Sequence, residues 1–136
     1  MSVFDTISIA ASGLTAQRLR MDVASSNIAN ADSTRTADGT PYQQESVIVA
    51  AARTTASSSA LGVQAVAIVT PNQGSQRVFD PTNPDADAAG FVSHPDVNIA
   101  AQMADIMGAA RSYSLNSTTF QAAKQEAMDA IELGRA

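Results

Sequence analysis

The chain has 136 residues, 45% of them apolar but only 4% aromatic, with a net charge of −5 and no cysteine. That allows one domain or two small lobes around a thin core of small side chains, which suits closely packed helices. The acidic balance and scattered Lys and Arg exclude the basic footprint of a nucleic-acid binder or a polybasic membrane patch, and the missing thiols exclude disulfides, thiolate catalysis and cysteine-based zinc sites. The first predicted element is a helix over 4–30 with Ser2 as its N-cap. Phe4, Ile7, Ala11, Leu14, Arg18, Met21, Ser25 and Ile28 recur at alternating spacings of three and four, the pattern of a heptad seam. Such a helix is ~40 Å long at 1.5 Å per residue, and the polar run Asn30-Ala31-Asp32-Ser33-Thr34 ends it.

The middle of the chain has a different character. Ala37-Asp38-Gly39-Thr40-Pro41 predicts a turn, and Ser46-Val47-Ile48-Val49-Ala50 is a short apolar run. Thr54 to Ser59 reads as a low-complexity linker. Gly62 to Val69 is β-branched and partly alternating, a predicted strand. Pro71-Asn72-Gln73-Gly74 predicts another turn, Arg77-Val78-Phe79 a strand, Asp80 to Gly90 an acidic, proline-punctuated loop, and Gly90-Phe91-Val92 a last short strand. A second long helix follows over 97–133, capped by Asp96 or Asn98 just after Pro95 and ended by Gly134. Its seam is Ile99, Met103, Ile106, Ala110, Tyr113, Ser117, Phe120, Lys124, Ala127 and Ile131. The predicted fold is mainly α. Long N- and C-terminal helices pack as an antiparallel coiled-coil-like hairpin, with a small β-containing middle segment, and the divisions fall at 1–31, 32–96 and 97–136.

An amphipathic helix must bury its stripe. Each large apolar side chain buried contributes roughly 1.5–3 kcal/mol, while ordering backbone costs about 1–2 kcal/mol per residue. With Ala11, Ala110 and Ala127 diluting the seams, a lone helix pair is marginal. Ile9, Leu19 and Val23 flank the first seam, and Met107, Leu115 and Met128 the second. Such second flanks fit neighbours from other chains, or a middle lobe folded back over the hairpin. Arg18, Ser25, Ser117 and Lys124 interrupt the seams, either by drifting to solvent or by fixing register. Aligning Phe4 with Ile131 brings Arg18 beside Ser117.

The residues offer little for catalysis. His94 is the only histidine, in the loop sequence Ser93-His94-Pro95, with no nucleophile or carboxylate motif around it. Asp80, Asp85 and Asp87 share a loop but lack the ligand spacing, central glycine and closing glutamate of a calcium loop, so a hydrated acidic turn is expected. Asn116-Ser117-Thr118 matches a glycosylation pattern inside a predicted helix, by chance, and Gly13 stands alone in a helix rather than in a phosphate loop. No enzyme activity, metal or cofactor is expected. No run of about 18 apolar residues marks a membrane span. The start Met1-Ser2-Val3-Phe4-Asp5 lacks the features of a cleavable secretory signal.

Ala11-Ser12-Gly13-Leu14-Thr15-Ala16 followed at helical spacing by Asn27-Ile28-Ala29-Asn30 resembles the N-terminal signature of the flagellar rod, hook and hook-associated axial proteins. Thr34 to Tyr42, Val78-Phe79-Asp80-Pro81, Pro84-Asp85-Ala86-Asp87, Gly90-Phe91-Val92, Pro95-Asp96-Val97-Asn98 and Ala110-Arg111-Ser112-Tyr113 resemble the proximal-rod members of that family. The chain departs from them at Gln102, where glutamate is frequent, and at Ser114-Leu115-Asn116, where Ala-Asn often follows the tyrosine. The resemblance implies a structural subunit of the basal-body proximal rod, a periplasmic driveshaft that transmits torque and encloses the export channel. It implies export through the flagellar type III apparatus without a cleaved signal, ends that fold on assembly, and partners among other rod subunits and copies of itself. The seam residues named above other than Arg18, Ser25, Ser117 and Lys124, together with Ser12, Gly13, Asn27 and Asn30, are then the candidate assembly interface. The rival readings are another axial protein of the same family, such as a different rod subunit, a helical adaptor or secretion chaperone, and a small metal-dependent hydrolase built on the acidic loop.

Overall fold

The computed structural model describes residues 2–53, 61–71 and 74–135. Helix α1 spans Val3–Ala29 and helix α2 spans Ile99–Leu133, and the two pack on each other along their lengths. Between them run four strands, β1 (Ser46–Arg53), β2 (Leu61–Val69), β3 (Gln76–Phe79) and β4 (Phe91–His94). These form two separate antiparallel hairpins, β1 with β2 and β3 with β4.

Local chemistry explains the helix ends. Ser2 and Asp5 form a reciprocal capping box, in which the Ser2 N–H donates to Asp5 Oδ2 at 2.9 Å and the Ser2 hydroxyl oxygen accepts from the first turn. Asn30 closes α1, its main-chain and side-chain N–H groups both donating to the Ser26 carbonyl. Of the two candidate caps of α2, Asn98 does the work, its Oδ1 accepting from the Ala101 N–H at 3.0 Å. Gly134 ends α2 in a right-handed conformation, φ −77°, so its glycine freedom is not used.

The helix hairpin corrects the expected seam. The residues buried on α1 are Ala10, Gly13, Ala16, Val23, Ala24 and Asn27, and those on α2 are Gln102, Ala109 and Ala123. Phe4, Arg18 and Ser25 on α1, and Ile99, Met103, Ala110, Tyr113, Lys124 and Ile131 on α2, are exposed. Ile7, Ala11, Leu14, Met21, Ile28, Ile106, Ser117, Phe120 and Ala127 are half-buried. The helices thus turn small side chains inward, which lets their backbones approach closely, and rotate many large ones outward. The alignment also differs. Gly13 meets Asn116 and Asn27 meets Gln102, two heptads apart on each helix. This register is offset by roughly six residues, about 9 Å at the α-helical rise, from one pairing Phe4 with Ile131. Arg18 points to solvent and does not pair with Ser117.

The middle segment resolves the question of the flanks. The β1–β2 hairpin packs against α1, whereas among the described residues no strand packs on α2. The described strands of the lobe therefore cover one helix only. The β1–β2 ladder runs from Ser46↔Val69 to Arg53↔Leu61, with Val66 as an extra residue between the pairs Ile48↔Ala67 and Val49↔Ala65. The expected strands at 62–69, 77–79 and 90–92 match β2, β3 and β4, and the apolar run at 46–50 is the first part of β1. The linker expected at 54–59 lies outside the described residues, as do Asn72 and Gln73 of the expected turn.

Candidate assembly interface

The two signature elements in α1 face inward and make the subunit's own joints. Ser12 Oγ donates to the Ile9 carbonyl at 2.7 Å and accepts from the Val63 main-chain N–H at 3.0 Å, so it ties β2 to the helix. One residue on, Gly13 leaves room for Asn116. A Cβ there would lie 2.6 Å from Asn116 Nδ2. Leu14 is half-buried beside it.

Asn27 is 1% exposed and its side-chain amide is saturated. Nδ2 donates to Gln102 Oε1 and to the Glu45 carbonyl, each at 2.9 Å. Oδ1 accepts from the Tyr42 hydroxyl and the Glu45 N–H, each at 2.9 Å. Ile28 is half-buried, and Asn30 terminates the helix while its Oδ1 accepts from Ser33 Oγ at 3.3 Å. Sequence reasoning missed Tyr42, Glu45, Gln102 and Asn116 as members of these joints. The only trace of them in the sequence is that Gln102 and Asn116 lie two heptads apart, as Gly13 and Asn27 do.

The other expected interface residues fall outside the joints. On α2, Met103 and Ile131 are 52% and 59% exposed, and the flanking Met107 and Leu115 reach 67% and 65%. Ile99, Ala110 and Tyr113 are exposed as well, while Ile106, Phe120 and Ala127 are half-buried. Phe4 at the start of α1 is exposed, whereas Ile7, Ala11 and Met21 are half-buried. Gly108 adds to this open surface, for a Cβ there would meet nothing within 4 Å. Unlike Gly13, it has no neighbour among the described residues that requires glycine.

The acidic loop is structured by its own carboxylates. Asp85 accepts from Thr34 Oγ1 at 2.8 Å and pairs with Arg35 at 3.4 Å, fastening the loop to the segment after α1. Asp87 pairs with Arg77 and accepts from the Ala89 and Phe91 N–H groups at 2.9 Å. These bonds, the one from Phe91 foremost, hold its carboxyl below the usual carboxylate range. Asp80 is lowered likewise, chiefly by the Thr82 hydroxyl at 2.6 Å. Gly90, at φ +79°, turns the chain into β4, where Phe79 and Phe91 meet edge to face at 5.3 Å and Arg77 lies 4.9 Å above the Phe91 ring. The three aspartates are thus committed to turn and ion-pair duties. His94 lies half-buried in β4. Among the described residues, no group of three or more His, Cys, Asp or Glu side chains is placed to hold a metal ion.

Comparison with known proteins agrees with this architecture. The family model for the flagella basal body rod protein matches residues 7–35, and that for the C-terminal part of flagellar basal body rod FlgEFG proteins matches 88–133. The chain is 35% identical to the flagellar basal-body rod protein FlgC of Bacillus subtilis, over 99% of this chain and 100% of that one. It is 38% identical to FlgC of Escherichia coli O6:H1 with the same coverage, and 34% identical to that of Aquifex aeolicus over 92% of each chain. With most of α1 and all of α2 inside rod-protein regions and relatives aligned from end to end, the chain belongs to the FlgC family of flagellar basal-body rod proteins.

Proposed function

We propose that this structural rod subunit joins the proximal rod through the apolar surface of α2, which nothing among the described residues covers. The observation that carries the reading is the division of labour in the helix hairpin. Alanine, glycine and amide side chains fill the contact between the helices, while Met103, Met107, Leu115 and Ile131 face outward. A monomer gains nothing from exposing them. A neighbour burying them gains roughly 1.5–3 kcal/mol per large side chain. Contacts that join different faces of successive subunits without closing build a helical tube. In this reading segments 1–31 and 97–136 form the tube wall, and 32–96 is an outer excursion. Phe4, Ile99, Ala110 and Tyr113 contribute directly to the interface, and the half-buried seam residues Ile7, Ala11, Leu14, Met21, Ile28, Ile106, Phe120 and Ala127 support it from beneath. Ser12, Gly13, Asn27 and Asn30 give the subunit the shape the interface requires.

The partners are other rod subunits and further copies of this chain, in the periplasm, after export by the flagellar type III apparatus. The product is a hollow shaft that carries torque, so the chain's role is mechanical and not enzymatic. An adaptor or secretion chaperone would remain in the cytoplasm and leave the basal body intact when altered. The test is replacement of the chromosomal copy by a Met103→Asp/Met107→Asp variant. Loss of motility, with the variant expressed but missing from purified basal bodies, is expected. Normal swimming with the variant present in basal bodies contradicts the reading.

A further inference from the structure

We infer that the Asn27 amide is a register lock. It couples the pairing of the two terminal helices to the direction in which the middle segment leaves them. The orientation of the amide is settled by one partner. The Glu45 main-chain N–H is a donor only, so the atom 2.9 Å from it is Oδ1, and Nδ2 must face the Glu45 carbonyl and Gln102 Oε1. Tyr42 donates to the same Oδ1. Three stretches of chain, 75 residues apart at the extremes, thereby meet on one saturated side chain.

The lock is selective because its two amide side chains are withdrawn from solvent. Asn27 and Gln102 are 1% and 5% exposed. A slip of one residue would set Ala101 or Met103 against Asn27, and a slip of one heptad would set Ala109 or Pro95 there. None carries a side-chain oxygen, so an amide hydrogen would be left buried without its partner. An apolar pair at this level could match the stability but would tolerate slippage. Polar partners specify register at some cost in strength. On its other side the amide grips both main-chain groups of Glu45, and β1 begins at the next residue. The β2 strand returns to the same helix at Ser12, roughly 22 Å along it by the helical rise, through the Val63 N–H. The hairpin is thus pinned at two points, and the Asn27 pin is shared with α2. Helix pairing and hairpin placement then share one coupling free energy, which acts in both directions.

The experiment is hydrogen exchange with mass spectrometry on the full chain, both in solution and in purified basal bodies. Gln102→Leu removes the acceptor and keeps the bulk, and Gln102→Glu restores an acceptor. In the Leu variant the Glu45 amide and those of β1 should exchange about tenfold faster, although residue 102 lies on another helix; tenfold corresponds to about 1.4 kcal/mol. The Glu variant should stay within threefold of wild type. Tyr42→Phe, which leaves the helix contact unaltered, tests the reverse direction. It should speed exchange in the first turn of α2, where the Gln102 N–H donates to the Asn98 carbonyl. Equal loosening by Leu and Glu, an effect of Tyr42→Phe confined to residues 42–53, or a wild-type Glu45 amide that exchanges freely in both states would each overturn the lock.

Discussion

Asn27 and Gly13 show how single residues in α1 set the geometry on which the rest depends. Replacing Asn27 by Ala strips partners from the half-buried Glu45 N–H and from the buried Gln102 side chain, and unsatisfied buried groups cost about 1–3 kcal/mol each. Urea unfolding of the full chain should register a loss of about 2 kcal/mol or more, and an unchanged midpoint would contradict the burial described above. Gly13 is different in kind. The atom a Cβ would strike is the terminal Nδ2 of Asn116, which can swing aside. Gly13→Ala should therefore lie within about 1 kcal/mol of wild type, because better helix propensity offsets the adjustment. Gly13→Leu should cost about 1–3 kcal/mol through overpacking and should impair rod assembly more than it impairs solubility, as read by basal-body yield against soluble expression. The motifs themselves were legible in the sequence as Ser12-Gly13-Leu14 and Asn27-Ile28-Ala29-Asn30. Their partners were not. Tyr42, Glu45, Gln102 and Asn116 are brought in by tertiary geometry, and an amide inside a helix gives no local sign of where it points.

The elements were legible where short-range chemistry decides them. Ser2 with Asp5, Asn98 and Asn30 mark helix ends through bonds that span only a few residues, so the helix limits could be read directly. The orientation of the helix seam could not. The large apolar side chains follow heptad spacing, but that pattern marks a face and does not name what covers it. In this chain Ile106 and Phe120 are half-buried while Met103 and Ile131 are exposed. The hairpin of β3 and β4 carries its own test. Because the carboxyls of Asp80 and Asp87 are lowered in the folded loop, their stabilising contribution is complete above the unfolded carboxylate value of 3.8. It is lost only as pH falls through the lower folded values. The Phe91 amide, bonded to Asp87 Oδ1, should keep its folded chemical shift at pH 4 and lose it below that. Loss of the signal between pH 6 and 5 would contradict the assignment. At the adjoining turn, Gly90→Ala should destabilise the loop by about 1–3 kcal/mol, since Gly90 has φ +79° and a Cβ would lie 2.9 Å from the Phe79 ring.

At the scale of the whole molecule, the chain is a subunit whose interior is sparse and whose exterior is rich in apolar side chains. Among the described residues the buried hydrophobic ones are six alanines and two valines, whereas Phe4, Met107, Leu115 and Leu133 are each more than 60% exposed. An isolated globular protein would show the opposite arrangement, and exposed apolar surface that is contiguous marks an interaction site. This inversion links sequence to function. Small residues make a thin helix hairpin, and in the proposed reading the large ones are left for neighbours in the rod. The most direct measurement uses the absence of native cysteine. A Met107→Cys chain that supports motility is treated with a water-soluble maleimide, once as free subunit and once within purified basal bodies. The account predicts rapid labelling of the free subunit and strong protection, tenfold or more, in the basal body. Equal labelling in the two states would show that no neighbour covers α2 and would contradict the account.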